Sequence, residues 1–83
     1  MGGTLVRVRM FAALREAAGA GEVLVAAEPL GLLLDRLRSR YGQPFATALS
    51  YASVLVDGER LRDPSTPVPD GAEVALLPPF SGG

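Results

Sequence analysis

The stretch EPLGLLLDRLRSRYG, Glu28 to Gly42, decides the fold. Pro29 suits the first helical position, where a missing N–H costs nothing. Leu30, Leu33, Leu34, Leu37 and Tyr41 recur at helical spacing and make one apolar stripe. Asp35, Arg36, Ser39 and Arg40 lie mostly away from it. Arg36, Arg38 and Arg40 crowd the carboxyl end, where cations meet the negative end of the helix dipole. Gly42 is a natural stop, and Pro44 opposes continuation. The stripe is too short for a coiled coil, so it reads as core. Such a helix needs a second layer to cover it.

The flanks supply that layer. Upstream, TLVRVRMF (Thr4 to Phe11) puts Val6, Val8 and Met10 on one face and Arg7 and Arg9 on the other, as a half-buried strand does. AALREAAGAG follows with helix-favouring residues that Gly19 and Gly21 stop. EVLVAA (Glu22 to Ala27) reads as a second strand, antiparallel to the first because the gap is short. Downstream, QPFATALSYA fits a short helix or a loop. SVLVDGERL is a strand, an Asp57-Gly58 turn and a returning strand. RDPSTPVPDG, with three prolines, is loop. AEVALLP (Ala72 to Pro78) is the last strand, with Val74 and Leu76 on one face and Ala75 and Leu77 on the other. One main helix packed on one face of a mixed sheet of four to five strands makes a two-layer α+β fold. The other face is open to Leu5, Phe11, Ala75 and Leu77, and an apolar patch there marks an interaction surface.

Composition removes most function classes. The 83 residues are expected to form a single domain, 1–83, with a flexible C-terminal tail over 78–83. With 48% hydrophobic and 20% charged residues, the chain lies clear of the disordered class. The net charge of −1 gives no electrostatic footprint for nucleic acid or an anionic membrane. No apolar run approaches the roughly 20 residues that span a bilayer, and MGGTLVRVRM lacks a signal-peptide core, so a cytoplasmic location is expected. The chain has no Cys, His or Lys. Thiolate nucleophiles, Cys-ligated metals, imidazole proton shuttles and Schiff bases are therefore out of reach.

Chemistry then falls to the ending, LLPPFSGG, from Leu76 to Gly83. Pro78 cannot donate to a sheet ladder, and Pro79 holds Pro78 extended. The chain leaves the sheet as a stiff arm, and Phe80 to Gly83 reach roughly 13 Å at about 3.3 Å per residue. Gly82 and Gly83 have no Cβ and fit a channel too narrow for other residues. The Gly83 carboxylate, once adenylated, accepts attack by a thiol, persulfide, hydroxyl or amine. If sulfur is delivered and kept, the product is a thiocarboxylate.

The residues DGAEVALLPPFSGG, with FAALREAAG after the first strand (Arg15, Glu16, Gly19) and the leucine-rich helix, resemble the small subunits of molybdopterin synthase. These are MoaD-type members of the MoaD/ThiS family of ubiquitin-like sulfur carriers, and the likeness runs along nearly the whole chain. It implies a β-grasp fold and a sulfur carrier in molybdenum cofactor biosynthesis. Gly83 would be adenylated by a ubiquitin-activating-like adenylyltransferase that uses ATP, while the carrier itself binds no cofactor or metal. A sulfur donor protein would supply the thiocarboxylate. A large catalytic subunit, in a heterotetramer, would receive the tail and pass sulfur to the pterin precursor. The resemblance assigns Gly83 and Gly82 to the reacting end and Leu77, Pro78, Pro79, Phe80, Ser81 and Phe11 to partner contact. Arg15 and Glu16 are read as setting local structure. Asp57 stands where many relatives carry Asn, and Glu28-Pro29 replaces a Thr-led helix start. The same tail suits a sister carrier for thiazole, cysteine or transfer-RNA thiolation, a protein modifier, or an inert interaction module.

Overall fold

Alternation in the first strand and in the last builds the middle of the sheet. The computed structural model describes residues 5–79, and residues 1–4 and 80–83 lie outside them. In chain order the elements are β1 (Leu5–Met10), α1 (Ala12–Ala18), β2 (Glu22–Ala26), α2 (Leu30–Tyr41), α3 (Gln43–Ser50), β3 (Ser53–Val56), β4 (Glu59–Arg60) and β5 (Glu73–Leu77). The sheet order is β2-β1-β5-β3-β4. β1 and β5 run parallel, and the other pairs are antiparallel. This is the mixed five-stranded β-grasp sheet that the sequence implied.

Register puts the branched residues on one face. Val8 lies beside Val74 and Met10 beside Leu76, and on the far side of β5 Val54 and Val56 face the same two residues. Val6, Val8, Met10, Val74 and Leu76 are buried in one cluster with Leu30, Leu33 and Leu37 of α2. Each such side chain contributes about 1.5–3 kcal/mol by leaving water, so the leucine stripe is the second layer. Leu34 and Tyr41 pack at its margin.

Three helices, not one, cover that face. α1 adds Leu14, and α3 adds Phe45 and Leu49. The ambiguous QPFATALSYA is thus a helix over Gln43–Ser50. Pro44 did stop α2, but it also sits in the first turn of α3, where its ring is tolerated. Phe45 is fully buried and its ring lies 5.1 Å from that of Tyr41. Pro29 is the N-cap of α2, one position before the expected one. β4, the returning strand after the Asp57-Gly58 turn, has two residues.

Turn chemistry fixes the rest. Asp57 and Gly58 have φ of 50° and 85°, the two left-handed positions of a type I′ hairpin. The Asp57 Oδ1 accepts the Glu73 N–H at 2.9 Å, tying the turn to the start of β5. An Asn at this position offers the same oxygen, so the departure at Asp57 keeps the geometry. Gly19 is left-handed and its N–H donates to the Arg15 carbonyl, which ends α1. Glu28 takes two hydrogen bonds from the Arg36 guanidinium, bracing the entry to α2 without a threonine. The proline loop is fastened at both ends. Leu30 N–H donates to the Thr66 carbonyl and Gly31 N–H to the Pro64 carbonyl, while the Leu5 N–H donates to the Asp70 carboxylate.

Candidate functional site

Parallel pairing of β1 and β5 means that both strands leave the sheet at the same end. Phe11 follows Met10 there, and Pro78 follows Leu77. Between these exits lies an apolar hollow of ≈ 190 Å³ whose walls include Phe11, Leu14, Ala48, Tyr51, Pro78 and Pro79. A wider one of ≈ 680 Å³ lies on the other side, against Tyr51, Leu55, Arg60, Leu77 and Pro79. Leu77, Pro78 and Pro79 therefore run between two hollows, and Tyr51 stands at the rim of both.

Arg9 stands against Phe11 on the outer face. Its guanidinium lies 5.6 Å from the centre of the Phe11 ring, a cation–π contact, and 3.4 Å from the Glu73 carboxylate. Arg7 pairs with Glu22 at 3.0 Å. These ion pairs cross the sheet face away from the helices. Exposed pairs of this kind contribute at most about 1 kcal/mol each. What they do is neutralise the arginines between apolar residues. Leu5 and Leu24 remain half exposed on the same face, and Ala75 and Leu77 continue it.

Of the residues expected to meet a partner, Leu77 is half-buried on this outer face, and Pro78 and Pro79 form the root of the tail. Leu5, Ala75 and Leu77 share the outer face by register. Phe11 lies past the end of β1, because the chain turns into α1 at Ala12, and it lines the smaller hollow instead of the open sheet. Phe80, Ser81, Gly82 and Gly83 lie outside the described residues. Tyr51 and Arg60 were not singled out from the sequence. Tyr51 lies in the segment whose conformation was ambiguous, just past the end of α3, so its place at the rim had no local signal.

The side chains offer little chemistry of their own. Among the described residues no polar or charged side chain is buried. Among the described residues there is thus no water-excluded centre in which a pKa is tuned for acid–base work. No group of three acidic, His or Cys residues capable of holding a metal occurs among them either. The clearest carboxylate shifts are structural: Glu28 is held below the ordinary glutamate range by the Arg36 hydrogen bonds, and Asp63 is lowered by hydrogen bonds from Ser65.

Comparison with known proteins agrees with this layout. The model of the ThiS family matches residues 8–83. The small archaeal modifier protein 1 (SAMP1) of Methanosarcina acetivorans is 30% identical, with a TM-score of 0.75 over 96% of this chain and 97% of that one. A putative molybdopterin converting factor, subunit 1, from Pyrococcus furiosus superposes with a TM-score of 0.81 at 20% identity, over 94% of this chain and 100% of that one. A complex of subunits 1 and 2 of the molybdopterin-converting factor from Helicobacter pylori contains a chain that matches at 24% identity with a TM-score of 0.74, over 95% of this chain and 99% of that one. The last two are likenesses of fold. A search of curated protein sequences gives no match.

Proposed function

The chain belongs to the ThiS family of ubiquitin-like sulfur carriers, and from that premise we propose that it is the small, sulfur-donating subunit of a molybdopterin synthase. The carrying observation is the tail root. Pro78 and Pro79 leave a central strand between two hollows, and the family match runs on through Gly82 and Gly83.

In this scheme the Gly83 carboxylate attacks the α-phosphorus of ATP on an activating enzyme. Pyrophosphate leaves, and the carboxyl oxygen is now bonded to AMP. A sulfur donor then attacks the carbonyl carbon. The outer sulfur of the donor's persulfide forms the C–S bond as the C–O bond to AMP breaks. A thiol then attacks the donor's own sulfur in the acyl disulfide, so that the S–S bond breaks, a disulfide forms and a thiocarboxylate leaves. When the sulfur passes to the pterin precursor, an oxygen from water takes its place on the carbonyl and the carboxylate returns. This chain contributes the narrow arm and the docking surface. The partner proteins contribute the nucleotide site, the sulfur and the pterin pocket. The outer face suits such docking, since it is apolar between neutralised charges.

Two sister readings use the same ending. A carrier for another thiolation pathway differs only in its acceptor. A protein modifier would pass the activated glycyl group to an amine, a reading favoured by the likeness to SAMP1. Intact mass separates them. The protein purified from its own source is incubated with ATP, an activating enzyme and a sulfur source. Exchange of one oxygen for one sulfur at the terminus, and pterin-dependent loss of that sulfur with the large subunit, support the proposal. An adduct on another protein supports the modifier. An unchanged mass, or a mature chain that continues past Gly83, overturns both. Deleting Gly83 is expected to abolish transfer and leave the fold intact.

A further inference from the structure

A second surface lies apart from the tail root. A groove of ≈ 440 Å³ runs between α2 and the β3–β4 hairpin. Leu30, Leu34, Val54 and Leu61 give it an aliphatic floor, and Arg38, Arg60 and Arg62 stand on its rim. Asp35 also lines it, but its carboxylate is taken up by Arg38. Among the described residues the Arg60 guanidinium donates only to the Ser53 hydroxyl, at 3.2 Å. Among the described residues the ion pairs engage Arg7, Arg9, Arg36 and Arg38, so neither Arg60 nor Arg62 has a carboxylate partner. A chain of net charge −1 thus gathers uncompensated positive charge over a strip of leucines.

The wall is rigid. The proline loop that carries Arg62 and Pro64 is bonded to the first turn of α2 through Gly31 and Leu30, and Asp63 holds the Ser65 N–H and hydroxyl. Its backbone is thus held in place by contacts within the chain.

We propose that this groove takes an acidic, leucine-bearing extended segment of a partner protein. Carboxylates would meet Arg60 and Arg62 while alternate apolar side chains cover the floor. Three observations favour a polypeptide. The floor has no aromatic ring on which a base would stack. The net charge gives no long-range pull on a polyanion. Ala52, Ser53 and Arg60 line both this groove and the larger hollow beside Leu77 and Pro79. A protein seated at the tail root therefore reaches the groove around one sheet edge. The proposal does not depend on which acceptor the tail serves.

The test uses the full-length protein labelled with ¹⁵N and three probes. They are a capped peptide alternating Glu and Leu, its counterpart with Lys in place of Glu, and inorganic phosphate. The acidic peptide is expected to move the amides of Arg38, Arg60, Leu61 and Arg62. Affinity should fall about tenfold in the R60E/R62E double variant, as two attractive exposed pairs become repulsive. It should also fall several-fold as salt rises from about 0.01 M to about 0.15 M, which shortens the screening length from roughly 30 Å to roughly 8 Å. Both side chains are on exposed residues, and the neutral pair R60Q/R62Q guards against misfolding; it should give an intermediate loss. No shift with the acidic peptide, shifts mapping elsewhere, equal binding by the double variant, or equal binding by the Lys peptide or phosphate would each overturn the proposal.

Discussion

Replacing Gly31 with alanine sets two effects of opposite sign against each other. Gly31 is in the first turn of α2, and an alanine in a helix is worth about 1 kcal/mol more than a glycine. Against this, a Cβ at Gly31 would sit 2.8 Å from the Pro64 Cβ and 3.2 Å from the Pro64 carbonyl oxygen. Ordinary carbon contact is roughly 3.5–4.0 Å, so the loop must retreat by about 1 Å. Pro64 is not a flexible side-chain tip. It is flanked by the Asp63–Ser65 hydrogen bonds, and Pro67 bridges Pro29. Retreat also stretches the 2.8 Å bond from the Gly31 N–H to the Pro64 carbonyl. Overpacking costs about 1–3 kcal/mol and a lost hydrogen bond about 1 kcal/mol. The net is a destabilisation of about 1–3 kcal/mol. For a domain of this size that lowers Tm by about 4–8 °C per kcal/mol. Urea unfolding should show a lower midpoint at unchanged slope, and hydrogen exchange should quicken at Leu30 and at the substituted position. A variant as stable as the parent, or more so, would refute the reasoning. It would mean that the proline loop yields freely and that helix propensity decides.

The remaining predictions concern docking and pH. Leu77→Glu should leave the fold intact, since Leu77 is only half-buried on the outer face. It should weaken association with the proposed large subunit by about 2 kcal/mol, roughly thirtyfold, by placing a charge in an apolar contact; an unchanged Kd in titration calorimetry contradicts that placement. Glu28 has a folded pKa below its ordinary value because Arg36 hydrogen-bonds the charged form. Its contribution is therefore present above the unfolded pKa of about 4.3 and is lost as pH falls through the lower folded value. Arg36→Gln should lower stability slightly above about pH 4.3, where the parent has this contribution, and flatten the acid limb so that the two curves converge at lower pH. Urea midpoints measured across that range check it, and parallel curves for the two proteins would contradict it.

Periodicity carried the central elements and could not carry the rest. Val6, Val8 and Met10, the leucines of α2, and Val74 with Leu76 announce themselves because each element has one wet face and one dry face. α3 hid because Pro44 and the small residues Ala46, Thr47 and Ala48 obscure its pattern, although Phe45 is among the most buried side chains. The parallel pairing of β1 with β5 has no local signal at all; it is set by how the helical layer closes. For the site, Pro78-Pro79 marks the exit of the chain unaided. Phe11, Tyr51 and Arg60 became neighbours of that exit only through the topology.

Topology also explains why a tail is safe to pull here. β5 is held by β1 on one side and β3 on the other, with Val74 and Leu76 fully buried beneath it. A partner that draws on the arm beyond Pro79 loads the innermost strand of the sheet. Local opening is easiest at edges and ends, where few apolar contacts must break. An arm rooted on β4 or β2 would peel its strand away under the same load, because an edge strand is bonded on one side only. An arm rooted on β5 transmits force to the core without exposing it. The two prolines add to this, since they donate nothing to either neighbour and end the ladder at Leu77 without leaving an unpaired N–H. If the terminus is given repeatedly to other proteins, as proposed, the chain gains by emerging from a strand bonded on both sides.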